Sequence, residues 1–304
     1  MFSFLFTKNP NKVWFRNLII ITLLLMGVFI YNRFYKVGQE GFEQKDKFVL
    51  KREAEVYDDF YVEIYEKIHR PADIYDFLLD FIHKNTQTSK ESVVLDVGSC
   101  TGNLVNRLQE SGITAYGIDK SKSMIKKSDE KYPNTQCNCG DVIEPLAFEK
   151  STFSHILCVN RTIYEIKDKH QFFNNCYFWI KPGGYLIVHL VDRDKFDTII
   201  PAGKSDVLPS PQTYANTRIT DTYIDFVDFN YRAKYDFKND NIVTMTETFT
   251  DGATSHIRQN EQTLYMEDID SIIKTAKSNG FVVQGKAELN IDKHQYLYVL
   301  ERTL

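Results

Sequence analysis

The chain has 304 residues, of which 43% are hydrophobic and 14% aromatic, with a formal net charge of −4. That much apolar and aromatic side chain excludes a disordered polymer and provides for a sizeable core. Residues 1–52 hold nine Lys/Arg against three Asp/Glu, net +6, which leaves residues 53–304 at −10 and speaks against a nucleic-acid-binding domain.

The first fifty residues read differently from the rest. Leu18 to Tyr31 is an apolar run with Trp14 and Phe15 before it and Phe34 and Tyr35 after it. Aromatic flanks and the snorkelling arginines Arg16 and Arg33 suit a headgroup level, so residues 14–35 are expected to form an uncleaved membrane-spanning helix. Residues 1–36 then form an N-terminal anchor segment and residues 37–52 a charged tether. The five cysteines are scattered, and Cys137-x-Cys139 has no second pair to complete a zinc site. No metal is expected. Reduced thiols imply a domain that faces the cytosol or an equivalent reducing compartment on a single-pass membrane protein.

From residue 53 the chain reads as one folded domain, 53–304. Val56, Tyr57, Phe60, Tyr61, Ile64, Tyr65 and Ile68 share one helical face, and Ile74 to His83 gives a second helix. From residue 92, apolar strands alternate with amphipathic helices: strands near 92–97, 113–118, 135–140, 153–159 and 185–191, with helices near 102–110, 121–130 and 167–180. Such alternation implies a parallel sheet covered by helices on both faces. The pattern changes within residues 193–266. Phe229, Tyr231, Ala233, Tyr235 and Phe237 alternate strictly, and turns at Asn239–Asn241 and Asp251-Gly252 mark an antiparallel insertion. A helix near 267–278 and two strands, 281–289 and 295–301, close the chain as an antiparallel hairpin.

The most informative stretch is Val93-Val94-Leu95-Asp96-Val97-Gly98-Ser99-Cys100-Thr101-Gly102. A strand enters a glycine turn whose backbone can approach a ligand, and a helix N-terminus then points its N–H groups at the same place. Four further signals follow in order: Ile118-Asp119, Gly140-Asp141-Val142, Cys158-Val159-Asn160-Arg161-Thr162-Ile163-Tyr164 and Lys181-Pro182-Gly183-Gly184. With the first, these make residues 53–304 similar to the class I S-adenosylmethionine-dependent methyltransferases. Cys100 departs from the middle glycine of that pattern. A nicotinamide dehydrogenase would need G-x-G-x-x-G, which Gly98-x-x-x-Gly102 does not supply.

The resemblance implies an α/β, Rossmann-like, doubly wound and mostly parallel seven-stranded sheet with the terminal hairpin and the small β insertion. It implies S-adenosylmethionine as methyl donor, held by Asp96, Gly98, Ser99, Cys100, Gly102, Asp119, Asp141, Val142 and Asn160. Tyr164 and His189 are the catalytic candidates, although a histidine within a strand also suits a satisfied core position. Tyr61, His256 and Arg258 are candidates for an acceptor pocket beneath the insertion. The acceptor implied is a small-molecule or lipid-associated nitrogen or oxygen compound, not nucleic acid. A protein acceptor, or a non-catalytic interaction module on the anchor, are the alternatives.

Overall fold

The structure is a computed structural model that describes residues 10–34, 44, 46–205, 207–237 and 241–303. An N-terminal helix, α1 (Pro10–Phe34), precedes strand β1 (Phe48–Arg52) and the helices α2 (Asp59–His69) and α3 (Tyr75–Thr86). The alternating region follows as β2 (Val93–Val97), α4 (Asn103–Glu110), β3 (Thr114–Asp119), α5 (Lys122–Lys131), β4 (Gln136–Cys139), β5 (Phe153–Cys158), α6 (Lys169–Trp179) and β6 (Ile180–Val191). After a long loop come β7 (Asp221–Asp225), β8 (Phe229–Asp236), β9 (Ile242–Asp251) and β10 (Ile257–Tyr265). Helix α7 (Ile269–Ser278) then leads into β11 (Phe281–Leu289) and β12 (Asp292–Arg302).

The strands form two sheets. One has seven strands in the order β11-β12-β6-β5-β2-β3-β4, and the other five in the order β1-β10-β9-β8-β7. In the first, β6, β5, β2, β3 and β4 run parallel, while β12 pairs antiparallel with both β6 and β11. The chain steps outward from β2 through β3 to β4, then returns to lay β5 on the other side of β2. That reversal opens a crevice at the carboxyl ends of β2 and β5, the place where open α/β sheets bind ligands. Val94, Leu95 and Val97 of β2 and Ile156, Leu157 and Cys158 of β5 have no exposed surface, so the centre of the sheet is sealed on both faces.

Two expectations are corrected. Among the described residues twelve strands lie in two mixed sheets, and the smaller sheet is more than an insertion: β1, from the stretch expected to be a tether, runs parallel to β10 with Phe48 opposite Ile257. The second correction concerns residues 14–35. Helix α1 exists, but no helix among the described residues is long and apolar enough to cross a membrane. At about 1.5 Å rise per residue the uninterrupted run from Leu18 to Tyr31 covers only about two-thirds of a ~30 Å hydrocarbon layer, and Arg16, Asn17, Asn32 and Arg33 fall inside the same helix. The expected membrane-spanning anchor and single-pass topology are therefore not supported.

The second sheet is fastened to the first unit through α2. Phe60 meets Phe249 of β9 edge to face, with ring centroids 5.4 Å apart. Arg258 of β10 is buried there. Its guanidinium donates to Asp58 Oδ2 at 2.9 Å, to the Val56 carbonyl at 3.2 Å and to Asn260 Oδ1 at 3.0 Å, and stacks over the Phe60 ring. Asp58 is also the N-cap of α2, accepting from the Tyr61 N–H. One arginine thus holds a strand, a helix cap and a carbonyl together. Arg258→Ala is expected to destabilise the fold by about 2–3 kcal/mol in urea unfolding, because it orphans these acceptors, while S-adenosylmethionine affinity stays unchanged.

Candidate functional site

The glycine turn is set by contacts that tolerate nothing larger. Gly98 sits at φ +70°, and a Cβ there would lie 2.6 Å from Thr162 Cγ2. Gly102 sits at φ +75°, and a Cβ there would collide with the Ser128 hydroxyl. The N–H groups of Gly98 and Ser99 both donate to the Ile118 carbonyl, at 2.9 and 3.1 Å, which ties the turn to the end of β3. Cys100 keeps the left-handed backbone, at φ +49°, despite its side chain. For a non-glycine residue that conformation costs about 1–2 kcal/mol. Its thiol lies 3.5 Å from the Tyr65 hydroxyl of α2.

Three carboxylates stand at the carboxyl ends of the neighbouring strands β2, β3 and β4. Asp96 is buried, and its Oδ1 has no hydrogen-bond partner. Burial, then the charge of nearby Asp119, pushes its pKa well above the usual carboxylate range. Asp119 accepts from the Cys100 N–H through Oδ2 at 2.9 Å and from the Ser121 N–H through Oδ1 at 2.8 Å. Burial still leaves its pKa raised, against those two hydrogen bonds. Asp141 follows β4. Its Oδ1 accepts from the Ile143 N–H at 3.0 Å, and the preceding Gly140 N–H reaches the Asp119 carbonyl at the same distance. The Val142 carbonyl accepts from Asn175. The Ser99 hydroxyl is buried without a partner.

These features fit a sulfonium nucleoside. A buried carboxylate oxygen without a partner suits an ammonium group, and the Asp119 carboxylate has acceptor capacity beyond its two N–H bonds. Among the described residues no group of three His, Cys, Asp or Glu is arranged to hold a metal ion.

On the other side of β2, the end of β5 faces α2 and the second sheet. Asn160 and Arg161 are both left-handed, at φ +51° and +67°, and Asn160 Nδ2 donates to the Tyr75 hydroxyl at 3.3 Å. A cleft of about 590 Å³ opens here, and a smaller cavity of about 60 Å³ lies deeper, beneath β8 to β10. Tyr65, His69, Asn160 and Arg161 line both. The deeper cavity is walled by polar chains. The Tyr61 hydroxyl lies 2.6 Å from His69 Nε2, which is 3.4 Å from Glu247 Oε1, and the Tyr231 hydroxyl donates to the same oxygen at 2.6 Å. Burial opposes ionisation of Glu247, but His69, Tyr231 and Tyr61 together hold its pKa below the usual value. Gln262 donates to the Tyr57 hydroxyl, which donates to Glu165.

The residues singled out from sequence are distributed unevenly over this geometry. Tyr61 lines the deeper cavity. Tyr164 borders it too, yet its hydroxyl accepts from the Val191 N–H at 2.8 Å and donates to the Val191 carbonyl at 3.3 Å, so it is committed to the backbone. His189 lines the larger cleft, with Nε2 donating to Gln295 Oε1 at 2.9 Å. His256 lies at the β9–β10 turn with Nδ1 3.1 Å from the Gln44 carbonyl, and Arg258 is occupied as described above. Neither lines the cleft or the deeper cavity. Tyr57, Tyr65, His69, Arg161 and Glu247 were missed. The four-residue spacing of Tyr57, Tyr61, Tyr65 and His69 was a usable signal, as was Glu247 at an inward position of the alternating β9.

Comparison with known proteins agrees with this architecture. Residues 95–188 match a family model described as a methyltransferase domain. A ubiquinone biosynthesis O-methyltransferase of Coxiella burnetii is 32% identical over 111 residues, 35% of this chain and 47% of that protein. The chain therefore spans about half the length of this curated relative. Among solved structures, an S-adenosylmethionine-dependent methyltransferase from Clostridium acetobutylicum superposes with a TM-score of 0.62 at 19% identity, covering 80% of this chain and 98% of the other. CalS10, an amino pentose methyltransferase from Micromonospora echinaspora solved with S-adenosylmethionine bound, gives 0.57 at 16% identity, covering 80% and 96%. At such identities the likeness concerns the fold. Residues 95–188 thus match a methyltransferase domain, and the surrounding fold is the one these S-adenosylmethionine-dependent methyltransferases share.

His189 gives a test of how closed the site is. Burial, with Arg161 nearby, depresses its pKa from 6.5 to about 3. The unfolded chain therefore binds a proton that the folded one refuses, so this contribution to stability is complete above pH 6.5 and is lost as pH falls toward 3. His189→Gln is expected to flatten the acid limb of the stability profile by up to about 1.4 kcal/mol per pH unit in urea unfolding. An unchanged slope would show that the imidazole is not held neutral.

Proposed function

We propose that this protein transfers the methyl group of S-adenosylmethionine to a nitrogen or oxygen of a small-molecule acceptor. The observation that carries the proposal is the juxtaposition at the end of β5. Thr162 packs against Gly98 of the donor turn, while its neighbours Asn160 and Arg161 line the cleft of about 590 Å³. Donor and acceptor would thus meet across one short loop. The O-methyltransferase named among the relatives supports a small-molecule acceptor, and the size of the cleft suits one.

S-adenosylmethionine supplies an activated methyl group on a positively charged sulfur, so the protein's task is placement and the exclusion of water. In this proposal Asp96 holds the ammonium group, Asp119 accepts from the ribose hydroxyls, and Asp141 with the Val142 N–H faces the adenine. Gly98, Ser99, Cys100 and Gly102 let the backbone close on the donor, and Asn160 borders its methionine part. Tyr57, Tyr61 and Tyr65 of the α2 region close the site from above. The acceptor's lone pair forms the new bond to the methyl carbon as the carbon–sulfur bond breaks, and the bonding electrons stay on sulfur. The proton lost by the acceptor can pass to the His69–Glu247 pair or to solvent.

Two measurements on the full chain test this. Calorimetric titration with S-adenosylmethionine should show one site, and Asp119→Ala should weaken it by about 2–4 kcal/mol through loss of two hydrogen bonds to a charged acceptor. Incubation of a cell extract with the chain and methyl-labelled S-adenosylmethionine should place label in the low-mass filtrate. Label confined to protein or nucleic acid, or donor binding with no transfer, would contradict the proposal.

A further inference from the structure

Among the described residues, Arg161 is the arginine or lysine of this cleft without a carboxylate partner. The cleft contains other cations, but Arg70 pairs with Asp73 at 3.1 Å and Lys204 with Asp197 at 2.8 Å. Arg161 has the Tyr235 hydroxyl at 3.3 Å from Nη1 and the Phe196 ring 5.8 Å from its guanidinium carbon, and among the described residues no carboxylate forms an ion pair with it. The site's own carboxylates are engaged elsewhere, Glu165 by Tyr57 and Glu247 by His69 and Tyr231. A guanidinium cannot shed its charge, so a partly buried one without an anion is costly unless a ligand supplies the anion.

The backbone supports the same conclusion. Asn160 and Arg161 are consecutive non-glycine residues in the left-handed region, a strain that tends to persist where function over-determines it. The conformation places Thr162 against the donor turn and lets the guanidinium reach Tyr235 of β8, an element that has no part in that turn. Charge, cleft and donor thus meet within three residues.

Resting on the methyl-transfer reading above, we infer that the acceptor carries a carboxylate and that Arg161 is its counter-ion in the cleft. The planar fork of guanidinium matches a carboxylate through paired N–H bonds, which fixes the acceptor's orientation as well as its affinity. Tyr65, which lines the cleft, offers an aromatic face on which its body can rest. The other carboxylate within reach in principle is that of the methionine part of the donor, and the experiment must separate the two.

The probes are benzoate and its neutral isostere benzamide, titrated into the full chain loaded with S-adenosylhomocysteine. Benzoate is expected to bind about ten-fold more tightly than benzamide, and Arg161→Met to abolish the difference. Because this variant removes an unpaired cation, it should unfold at or above the wild-type temperature. Should it fail to fold, Arg161→Lys, expected to retain a reduced preference for benzoate, takes its place. Equal binding of the two probes, no benzoate binding at millimolar concentration, or a preference unchanged by the substitution would overturn the inference. So would a loss of affinity for S-adenosylmethionine but not for methylthioadenosine, which lacks the carboxylate, since that would assign Arg161 to the donor. Donor binding by the wild-type chain is measured separately, so the methyl-transfer reading can stand when this inference fails.

Discussion

A carboxylate buried at the end of β2 without a hydrogen-bond partner is the constraint around which this fold is arranged. Asp96 lies where the sheet is sealed on both faces and beside a second acid, Asp119, and both surroundings oppose its ionisation. A chain does not keep such a group for stability. The partner proposed for it is the ammonium group of S-adenosylmethionine, beside the turn that Gly98 and Gly102 shape. Asp119, half-buried, is braced by two backbone N–H groups from that turn and from the start of α5, so the turn and the second acid hold each other in place.

The second sheet turns this donor platform into an enclosed site. Its inner face meets α2, whose tyrosines stand between the glycine turn and the strands β8 to β10. Polar residues carried inward by those strands are held by α2, by the residues just before it and by one another: Glu247 Oε1 by His69 and Tyr231, Gln262 by Tyr57, Arg258 by Asp58 and Val56, while Glu247 Oε2 and Asn260 Nδ2 have no partner. Such a network specifies one docking geometry, because any shift of α2 would strand several buried polar groups together. Arg161 is the exception within it. It has a hydroxyl and an aromatic ring, and among the described residues no carboxylate forms an ion pair with it.

What could be read from the sequence was what depends on neighbours in the chain. The alternation of strands and helices, the glycine turn, and the acids at the ends of β2, β3 and β4 each declare themselves within a few residues. What escaped depends on distant pairing. Nothing in Phe48–Arg52 announces that it will lie beside Ile257, some two hundred residues later, so a strand passed for a tether. Arg258 looked like a site residue because a charged side chain in a strand is conspicuous, and only the packing shows that it serves the α2 cap. The left-handed backbone of Asn160 and Arg161 was equally hidden, since neither residue is a glycine. The apolar helix α1 misled in the opposite direction, because aromatic and basic flanks carried more weight than the short length of the uninterrupted apolar run.

The most direct test of the account is to measure Asp96→Asn in two ways at once, by urea unfolding of the ligand-free chain and by calorimetric titration with S-adenosylmethionine. If Asp96 is kept for the donor's ammonium group, the substitution leaves stability equal or higher, because a buried acid whose ionisation its surroundings oppose is gone, and markedly lowers donor affinity. A variant that is less stable yet binds S-adenosylmethionine as the wild type does would show that this carboxylate serves the fold instead, and the account would fail.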